Sequence, residues 1–377
     1  MSAKQYDVAV IGAGIVGAAC ALASAEAALS TLLIEPGVEG GGATGAGMGH
    51  IVVTDDSLAQ FRLTRFGRRL WQKMALRLPD SCEWSACGTI WIAATDAEMS
   101  IVEKKRKFYS DRGVKAEVLD RQSLLRAEPN LRRSLAGGLR VLDDCVVYPP
   151  SATAFFISCA KQLGVSMSAN LGAASFGRGI VTLSDGTTVR AAHIINATGV
   201  AAAGLSRPGK IRPRKGHLLI TDRYPGWVHH QLVELGYLKN AHDSGQDSVA
   251  FNIQPRPTGQ CLIGSSRQFD VPDSRIDSDM VSRITQRALE YMPGIGALLV
   301  TRIWTGQRAS TPDHLPLVGP SDDDPSVYMA SGHGGLGITT SLATAALIVD
   351  HIMGRESEIP IDPYLPARWD HAGSANE

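Results

Sequence analysis

The feature that most constrains the fold of this chain is a glycine turn near its amino end. Residues 6–35 read as an apolar strand, a turn with the spacing G-x-G-x-x-G, an alanine-rich helix and a second strand that ends in an acid. Gly12 permits the tight turn, Gly14 lets the backbone touch a pyrophosphate, and Gly17 lets the helix pack against the sheet. Glu35 can accept hydrogen bonds from a ribose hydroxyl. This order predicts a dinucleotide site, and a glycine-tolerant turn without a ligand is the alternative.

A second glycine-rich segment begins directly after this acid. Seven glycines lie between Gly37 and Gly49, a density that is also typical of flexible linkers. The segment leaves the second strand at its carboxyl end, which is where a doubly wound sheet places its ligand crevice. We therefore expect its backbone N–H groups to line the rest of the dinucleotide site.

The composition argues against several classes of partner and site. Lys and Arg together number 37, as do Asp and Glu, so the chain lacks the basic excess of a protein that binds nucleic acid or an anionic membrane. The cysteines show neither a C-x-x-C pair nor a disulfide-dense spacing, which predicts a reducing, cytoplasmic location and no metal or iron–sulfur site in this chain. They are Cys20, Cys82, Cys87, Cys145, Cys159 and Cys261.

Two apolar segments raise the question of an export signal or a membrane anchor. Residues 8–25 carry no charge, but the glycines of the first turn interrupt them, which favours a strand followed by a helix. Residues 336–349 include four hydroxyl side chains and are too few to cross a bilayer. We therefore predict no transmembrane segment.

Five motifs, taken in order along nearly the whole chain, carry a family resemblance. They are GAGIVG with its following acid, GATGAGMGH, IINATG, WTGQRASTPDHLPLVG and SGHGGLGITTSLATAALI. Together they resemble the D-amino-acid-oxidase superfamily of FAD-dependent amine and amino-acid oxidoreductases. Within it, the chain is most similar to the flavin (beta or B) subunits of bacterial D-hydroxyproline dehydrogenases and opine oxidases, relatives of the sarcosine oxidase beta subunit.

This resemblance implies an α/β (α+β) fold in which a discontinuous Rossmann-like FAD-binding domain is joined to a β-sheet-based substrate domain. The FAD-binding domain would comprise residues 1–75, 150–205 and 305–365, and the substrate domain residues 76–149 and 206–304. The residues implied to bind FAD are Gly12, Ala13, Gly14, Ile15, Val16, Gly17, Glu35, Ala43, Thr44, Gly45, Ala46, Gly47, Met48, Ala197, Thr198, Gly199, Gly306, Gly332, Gly334, Gly335, Leu336, Gly337, Ile338 and Thr339.

The resemblance also implies the catalytic side chains. Arg308 stands where superfamily members bind the substrate carboxylate with a two-pronged arginine, although Ala309 replaces the proline that is usual after it. A salt bridge from Arg308 to Asp313 is the alternative. His50 and His333 are candidates for a catalytic base. The alternative is that the turns that contain them contact the flavin only through backbone groups. Three further histidines are assigned to a solvated surface, namely His229, His230 and His242.

The lining of the substrate pocket is expected from residues 210–265, where motifs are sparse. Polar and aromatic side chains in and beside this region alternate with apolar positions, which is the pattern of strands that face the flavin. A sheet with one wet face predicts the same alternation. The side chains in question are Tyr237, Phe251, Asn252, Gln254 and Arg267.

The implied reaction is oxidation of the C–N bond of an amino or imino acid or a secondary amine, D-hydroxyproline-like or opine-like, by hydride transfer to flavin N5. No lysine follows Lys239, whereas family members that react quickly with oxygen place a lysine over the flavin from the later half of the chain. An acceptor other than oxygen is therefore favoured, in a hetero-oligomer with an iron–sulfur or second flavin-binding subunit and with FMN at a subunit interface. The alternatives are a free-standing sarcosine- or glycine-oxidase-like enzyme that releases hydrogen peroxide, and a flavin electron-relay subunit.

Overall fold

The computed structural model describes residues 5–202, 211–236 and 247–369. The strands are β1 (Gln5–Ile11), β2 (Thr31–Glu35), β3 (His50–Ile51), β4 (Thr89–Ala93), β5 (Ala116–Asp120), β6 (Gly137–Val141), β7 (Cys145–Val146), β8 (Ser166–Ala169), β9 (Ala173–Gly177), β10 (Ile180–Leu183), β11 (Thr188–Asn196), β12 (Arg212–Thr221), β13 (Gln231–Glu234), β14 (Ser248–Pro255), β15 (Cys261–Phe269), β16 (Val300–Ser310), β17 (Leu317–Pro320) and β18 (Val327–Ser331). The α-helices are α1 (Ile15–Glu26), α2 (Leu58–Ala75), α3 (Asp96–Ser110), α4 (Arg121–Ala127), α5 (Pro149–Gln162), α6 (Ser278–Tyr291) and α7 (Gly337–Ile352).

The first large sheet has a mostly parallel centre in the strand order β17-β18-β11-β1-β2-β8, and β9 and β10 extend it from β11. β1 pairs in parallel with both β2 and β11, so the carboxyl ends of these strands meet at one edge. Helices α5 and α7 pack against α1 on one face, around a core of aliphatic and small side chains. Since the glycine turn follows β1, this fold places the turn at the edge where ligands of doubly wound sheets bind.

The second large sheet has the order β16-β12-β15-β14-β13-β4-β6-β5 and is antiparallel except where β13 pairs with β4. It has its own apolar core, which α6 closes on one side. The two sheets together confirm the predicted α/β (α+β) fold class. Strand β16 runs across the predicted boundary at residue 305, and the division into domains stays a prediction.

None of the helices in the described part of the chain combines the length and the apolar character that a bilayer crossing needs.

Candidate active site

One large cleft opens between the two sheets, with a volume of about 480 Å³. Its walls are the turns at the carboxyl edge of the first sheet and the four strands at one end of the second, β16, β12, β15 and β14. From the first sheet and its loops the cleft is lined by Gly12, Gly14, Ile15, Val16, Glu35, Ala43, Thr44, Ala46, Gly47, Met48, His50, Ala197, Thr198, Gly199, His333, Gly334, Gly335, Gly337 and Ile338. From the second sheet it is lined by Gly216, Leu218, Asn252, Ser265, Gly306, Gln307, Arg308 and Ala309.

The amino-terminal turn contains glycines with different roles. Gly12 has a φ of +99°, and a Cβ atom there would lie 2.7 Å from the Ala197 carbonyl oxygen, so only glycine fits. Gly14 is the N-cap of α1 with an extended backbone, which any residue can adopt. A Cβ on Gly14 would meet only the Thr44 hydroxyl, at 3.3 Å, and would project into the cleft. Gly12 therefore shapes the turn, whereas Gly14 leaves space for a ligand.

Glu35 ends β2 at the rim of this cleft. Its Oε2 accepts a hydrogen bond from the Ala13 backbone N–H at 2.7 Å, and its Oε1 accepts one from the Gly37 N–H at 2.8 Å. Each carboxylate oxygen has a further lone pair, so Glu35 can hold the turn and still accept a hydrogen bond from a ribose hydroxyl. The position is the one that the sequence pattern predicts for this acid.

The glycine-rich segment after β2 is a packed turn on the cleft and not an extended linker. The Gly40 N–H donates to the Ala13 carbonyl at 2.9 Å, which ties the segment to the first turn. From the second sheet, Trp304 Nε1 donates to the Ala46 carbonyl at 3.3 Å and Gln254 Nε2 donates to the Met48 carbonyl at 2.7 Å. Both sheets therefore hold this backbone in place along the cleft.

A second helix points its amino end at the same cleft. α7 begins at Gly337, directly after the turn that contains Gly334 and Gly335. A Cβ atom on Gly335 would meet nothing within 4 Å, so the backbone here faces open space. The first N–H groups of α1 and α7 and their positive dipole ends thus border one cavity, which suits a ligand with phosphate or other anionic groups. This geometry fits FAD.

Arg308 reaches the cleft from β16. Its Nη1 donates to the Ser266 main-chain carbonyl at 3.0 Å, and its guanidinium lies directly over Gly216. A Cβ atom on Gly216 would lie 2.3 Å from Nη1, so a larger residue would displace the guanidinium. Asp313 is bound instead by Arg368, whose Nε and Nη2 donate to its two oxygens at 2.6 and 3.0 Å. The alternative in which Arg308 pairs with Asp313 is therefore wrong.

The two candidate histidines are neutral at neutral pH. Burial, and then the charge of Arg308, lowers the pKa of His50 to about 3, and burial lowers the pKa of His333 to about 4. His333 Nε2 lies 2.9 Å from the Thr344 hydroxyl, while the buried Nε2 of His50 has no hydrogen-bond partner in the described part of the chain. Such low pKa values make both rings weak bases at neutral pH. Their predicted catalytic role stays a prediction.

Two side chains of the second sheet that line the cleft, Asn252 and Gln307, have an amide oxygen without a hydrogen-bond partner among the described residues. Asn252 on β14 is buried and lines the cavity, and its Oδ1 has no hydrogen-bond partner among the described residues. An unsatisfied buried acceptor costs free energy unless a ligand donates to it. Asn252 is thus the member of the predicted pocket-lining group that the structure brings to the cleft.

The other members of that group lie elsewhere. Phe251 belongs to the core of the second sheet and stacks on Tyr291 with ring centroids 4.6 Å apart, so the expectation that it faces the flavin is wrong. Its burial follows from the strand period, which sends neighbours to opposite faces. Gln254 lines a smaller neighbouring cavity of about 290 Å³, and Arg267 lies outside the cleft lining. Tyr237 is outside the described residues.

Not every predicted FAD residue touches the cavity. Those behind its wall or in the neighbouring cavity are Ala13, Gly17, Gly45, Gly332, Leu336 and Thr339. Gly17 lies so close to the turn that a Cβ would be 1.9 Å from the Gly12 carbonyl oxygen. Thr339 donates to the His50 carbonyl at 2.8 Å. These residues support the turns from behind, and no signal in the sequence separates them from the residues at the surface.

The prediction that His229, His230 and His242 lie on a solvated surface is wrong for His230. His230 is buried, and its Nδ1 lies 2.7 Å from the Glu128 carboxylate, which also accepts the His230 backbone N–H. The reason is that a carboxylate distant in sequence partners the ring, which local pattern does not reveal. His229 is exposed, and His242 lies outside the described residues.

Comparison with known proteins agrees with this geometry. Residues 7–351 match the family model described as DAO, FAD dependent oxidoreductase. Hydrogen cyanide synthase subunit HcnC of Pseudomonas aeruginosa is 30% identical over 266 residues, which are 67% of this chain and 59% of that protein, so the chain spans less than two thirds of its length.

Two further proteins match over nearly the full chain. Glycine oxidase of Geobacillus kaustophilus is 26% identical over 97% of both sequences. Its crystal structure superposes with a TM-score of 0.85 at 24% identity, covering 96% of this chain and 98% of that one. The crystal structure of L-proline dehydrogenase from P. horikoshii gives a TM-score of 0.87 at 20% identity, covering 98% and 99%. The shared fold, the two glycine turns on one cleft and the match over residues 7–351 show that this chain belongs to the DAO family of FAD-dependent oxidoreductases.

Proposed function

We propose that this chain oxidises the C–N bond of an amino or imino acid, or of a secondary amine that carries a carboxylate, such as D-hydroxyproline or an opine. The observation that carries the proposal is the position of Arg308. Its guanidinium enters, from the second sheet, the same cleft that two helix amino ends border from the first. A cavity with phosphate-binding turns on one wall and a carboxylate-binding cation on the other suits a flavin and an amino-acid substrate together.

The chain's own residues would divide the work as follows. The turns that contain Gly14 and Gly335 would hold FAD, with Glu35 on the ribose. FAD, when bound, supplies the acceptor for the two electrons and the hydrogen that leave the carbon next to the nitrogen. Arg308 would bind the substrate carboxylate through two N–H groups and so fix which C–H bond faces the ring.

The substrate nitrogen also has a partner in the cleft. The unpartnered Oδ1 of Asn252 would accept an N–H of the amine. Because the pKa values of His50 and His333 are low, neither ring accepts a proton readily at neutral pH. We therefore propose that the amine enters in its neutral form and that the histidines, being neutral, add no positive charge to that of Arg308.

We further propose that a partner subunit takes the electrons. No lysine follows Lys239, and HcnC is by name a subunit. The partner would carry an iron–sulfur cluster or a second flavin, FMN, at the subunit interface. A free-standing oxidase is the second candidate, and it is favoured by the match to glycine oxidase over 97% of both sequences.

Expression of the chain alone and together with its neighbouring genes separates these two functions. We expect the chain alone to reduce an artificial dye with its amine substrate while it releases little peroxide. The reason is that no lysine follows Lys239 to take the place over the flavin that a lysine has in family members that react quickly with oxygen. Dye reduction and peroxide yield are measured on the same preparation. Stoichiometric peroxide from the isolated chain would contradict the need for a partner and would establish the oxidase.

A further inference from the structure

The guanidinium of Arg308 is held from a distance, by a main-chain carbonyl two strands away. Arg308 lies on β16, and its side chain crosses β12 at Gly216 to donate to the Ser266 carbonyl on β15 at 3.0 Å. In a regular ladder that carbonyl would be turned to a neighbouring strand. Its availability to Arg308 therefore needs a local cause.

That cause is an irregularity in β15. Its register with β12 shifts between Lys215 and Leu219, and its register with β14 shifts between Val249 and Asn252. Such shifts let a strand turn individual groups out of the ladder, and they occur beside active sites. Ser266 lies inside the first of these stretches and borders the second, where it pairs with Val249.

A buried histidine fixes this irregular stretch. The His217 backbone N–H donates to the Ser266 hydroxyl oxygen at 2.9 Å, and His217 Nδ1 lies 2.9 Å from the same oxygen. Both residues have no exposed surface. The Ser266 hydroxyl therefore takes the place of the main-chain carbonyl that would accept the His217 N–H in a regular ladder. The His217 imidazole contacts the same hydroxyl.

The other ring nitrogen determines which tautomer is present. The Asp277 backbone N–H, at the start of α6, donates to His217 Nε2 at 3.0 Å. Nε2 must then be the acceptor, so Nδ1 carries the hydrogen and donates to Ser266. Burial, followed by the charge of Lys215, lowers the pKa of His217, which is consistent with a neutral ring.

We propose that His217 is a positioning residue that acts through Ser266 to set the direction of the carbonyl that holds Arg308 for the substrate carboxylate. The inference rests on the proposed role of Arg308. His217 itself does not line the cleft, and sequence pattern gives no sign of its connection to the site.

Two substitutions separate the two ring contacts. In His217→Asn the amide nitrogen lies near the place of Nδ1 and keeps the bond to Ser266, whereas in His217→Gln the amide oxygen lies near the place of Nε2 and keeps the bond to Asp277. The probe is acetate, which carries only the carboxylate, and its Kd is measured from the change in flavin absorbance of the purified holoprotein. We expect the Asn variant to bind acetate within about threefold of the wild type and the Gln variant to bind about tenfold more weakly, which is about 1.4 kcal/mol.

Controls separate this role from a general loss of stability. Ser266→Ala removes the shared acceptor and should weaken acetate about tenfold as well, which decides the matter if the Gln variant does not fold. Ser282→Ala, on the exposed face of α6, should bind acetate as the wild type does. Neutral acetamide should bind all variants alike.

Equal acetate affinity in the Asn and Gln variants, or wild-type affinity in Ser266→Ala, would overturn the role of His217. The proposed function fails in a different way. If Arg308→Lys binds acetate as tightly as the wild type, the arginine does not bind the carboxylate at all.

Discussion

Replacing Gly14 with valine should give a folded protein that is purified with little or no FAD. Gly14 has an extended backbone that valine adopts without strain, and its nearest obstacle is the Thr44 hydroxyl at 3.3 Å from the added Cβ. The new side chain would project into the cleft where the pyrophosphate is expected to approach the first N–H groups of α1. Loss of that charged hydrogen-bonded contact should weaken FAD binding by about 100-fold or more.

The measurement is the FAD-to-protein ratio after purification, together with a titration of the apoprotein with FAD and a far-UV spectrum to show that the fold is intact. Gly294→Val is the matched control, because Gly294 lies away from the cleft and its Cβ would meet no atom nearer than 3.7 Å. A folded Gly14→Val protein with a full complement of FAD would show that this turn is not the pyrophosphate site.

Replacing Arg308 with lysine should lower kcat/KM for a carboxylated amine by about 100-fold or more, which is about 3 kcal/mol. Lysine keeps the charge but lacks the planar fork that binds both carboxylate oxygens. It also lacks the group that donates to Ser266 across Gly216, so the ammonium would not be held in the same place. Steady-state kinetics with a dye as acceptor measure the effect.

Arg302→Lys provides the control, since this arginine lies on the same strand, is exposed and borders the smaller neighbouring cavity instead of the cleft. We expect it to retain wild-type kinetics. Normal kcat/KM in Arg308→Lys, with a substrate that has a carboxylate, would remove Arg308 from the substrate site.

The cofactor side of the cleft follows from local sequence, whereas the substrate side does not. The turn at Gly12 and Gly14 depends on backbone conformation and short spacings, which are written within a few consecutive residues. The approach of Gly216 to Arg308 joins β12 to β16, and the contact of His230 with Glu128 spans 102 positions. Such pairings depend on strand register between distant segments, which one sequence does not reveal.

Alternation of polar and apolar residues along a strand does not identify the face that borders the cleft. It identifies β14 as a strand with two faces, yet it does not say which face borders the cleft, and so Asn252 and Phe251 were indistinguishable in the sequence. The structure resolves this because β14 lies between β13 and β15 over the core that α6 closes.

Anaerobic mixing of the purified holoprotein with single amines tests the proposed function most directly. The amines are sarcosine, D-proline, hydroxyprolines and opines, each compared with a counterpart that lacks the carboxylate, such as dimethylamine or pyrrolidine. We predict that at least one carboxylated amine bleaches the flavin absorbance fully while its counterpart leaves it unchanged, because Arg308 fixes the substrate by its carboxylate. Flavin that no carboxylated amine reduces, or that the counterpart reduces equally fast, would contradict the proposal that this cleft oxidises an amino acid.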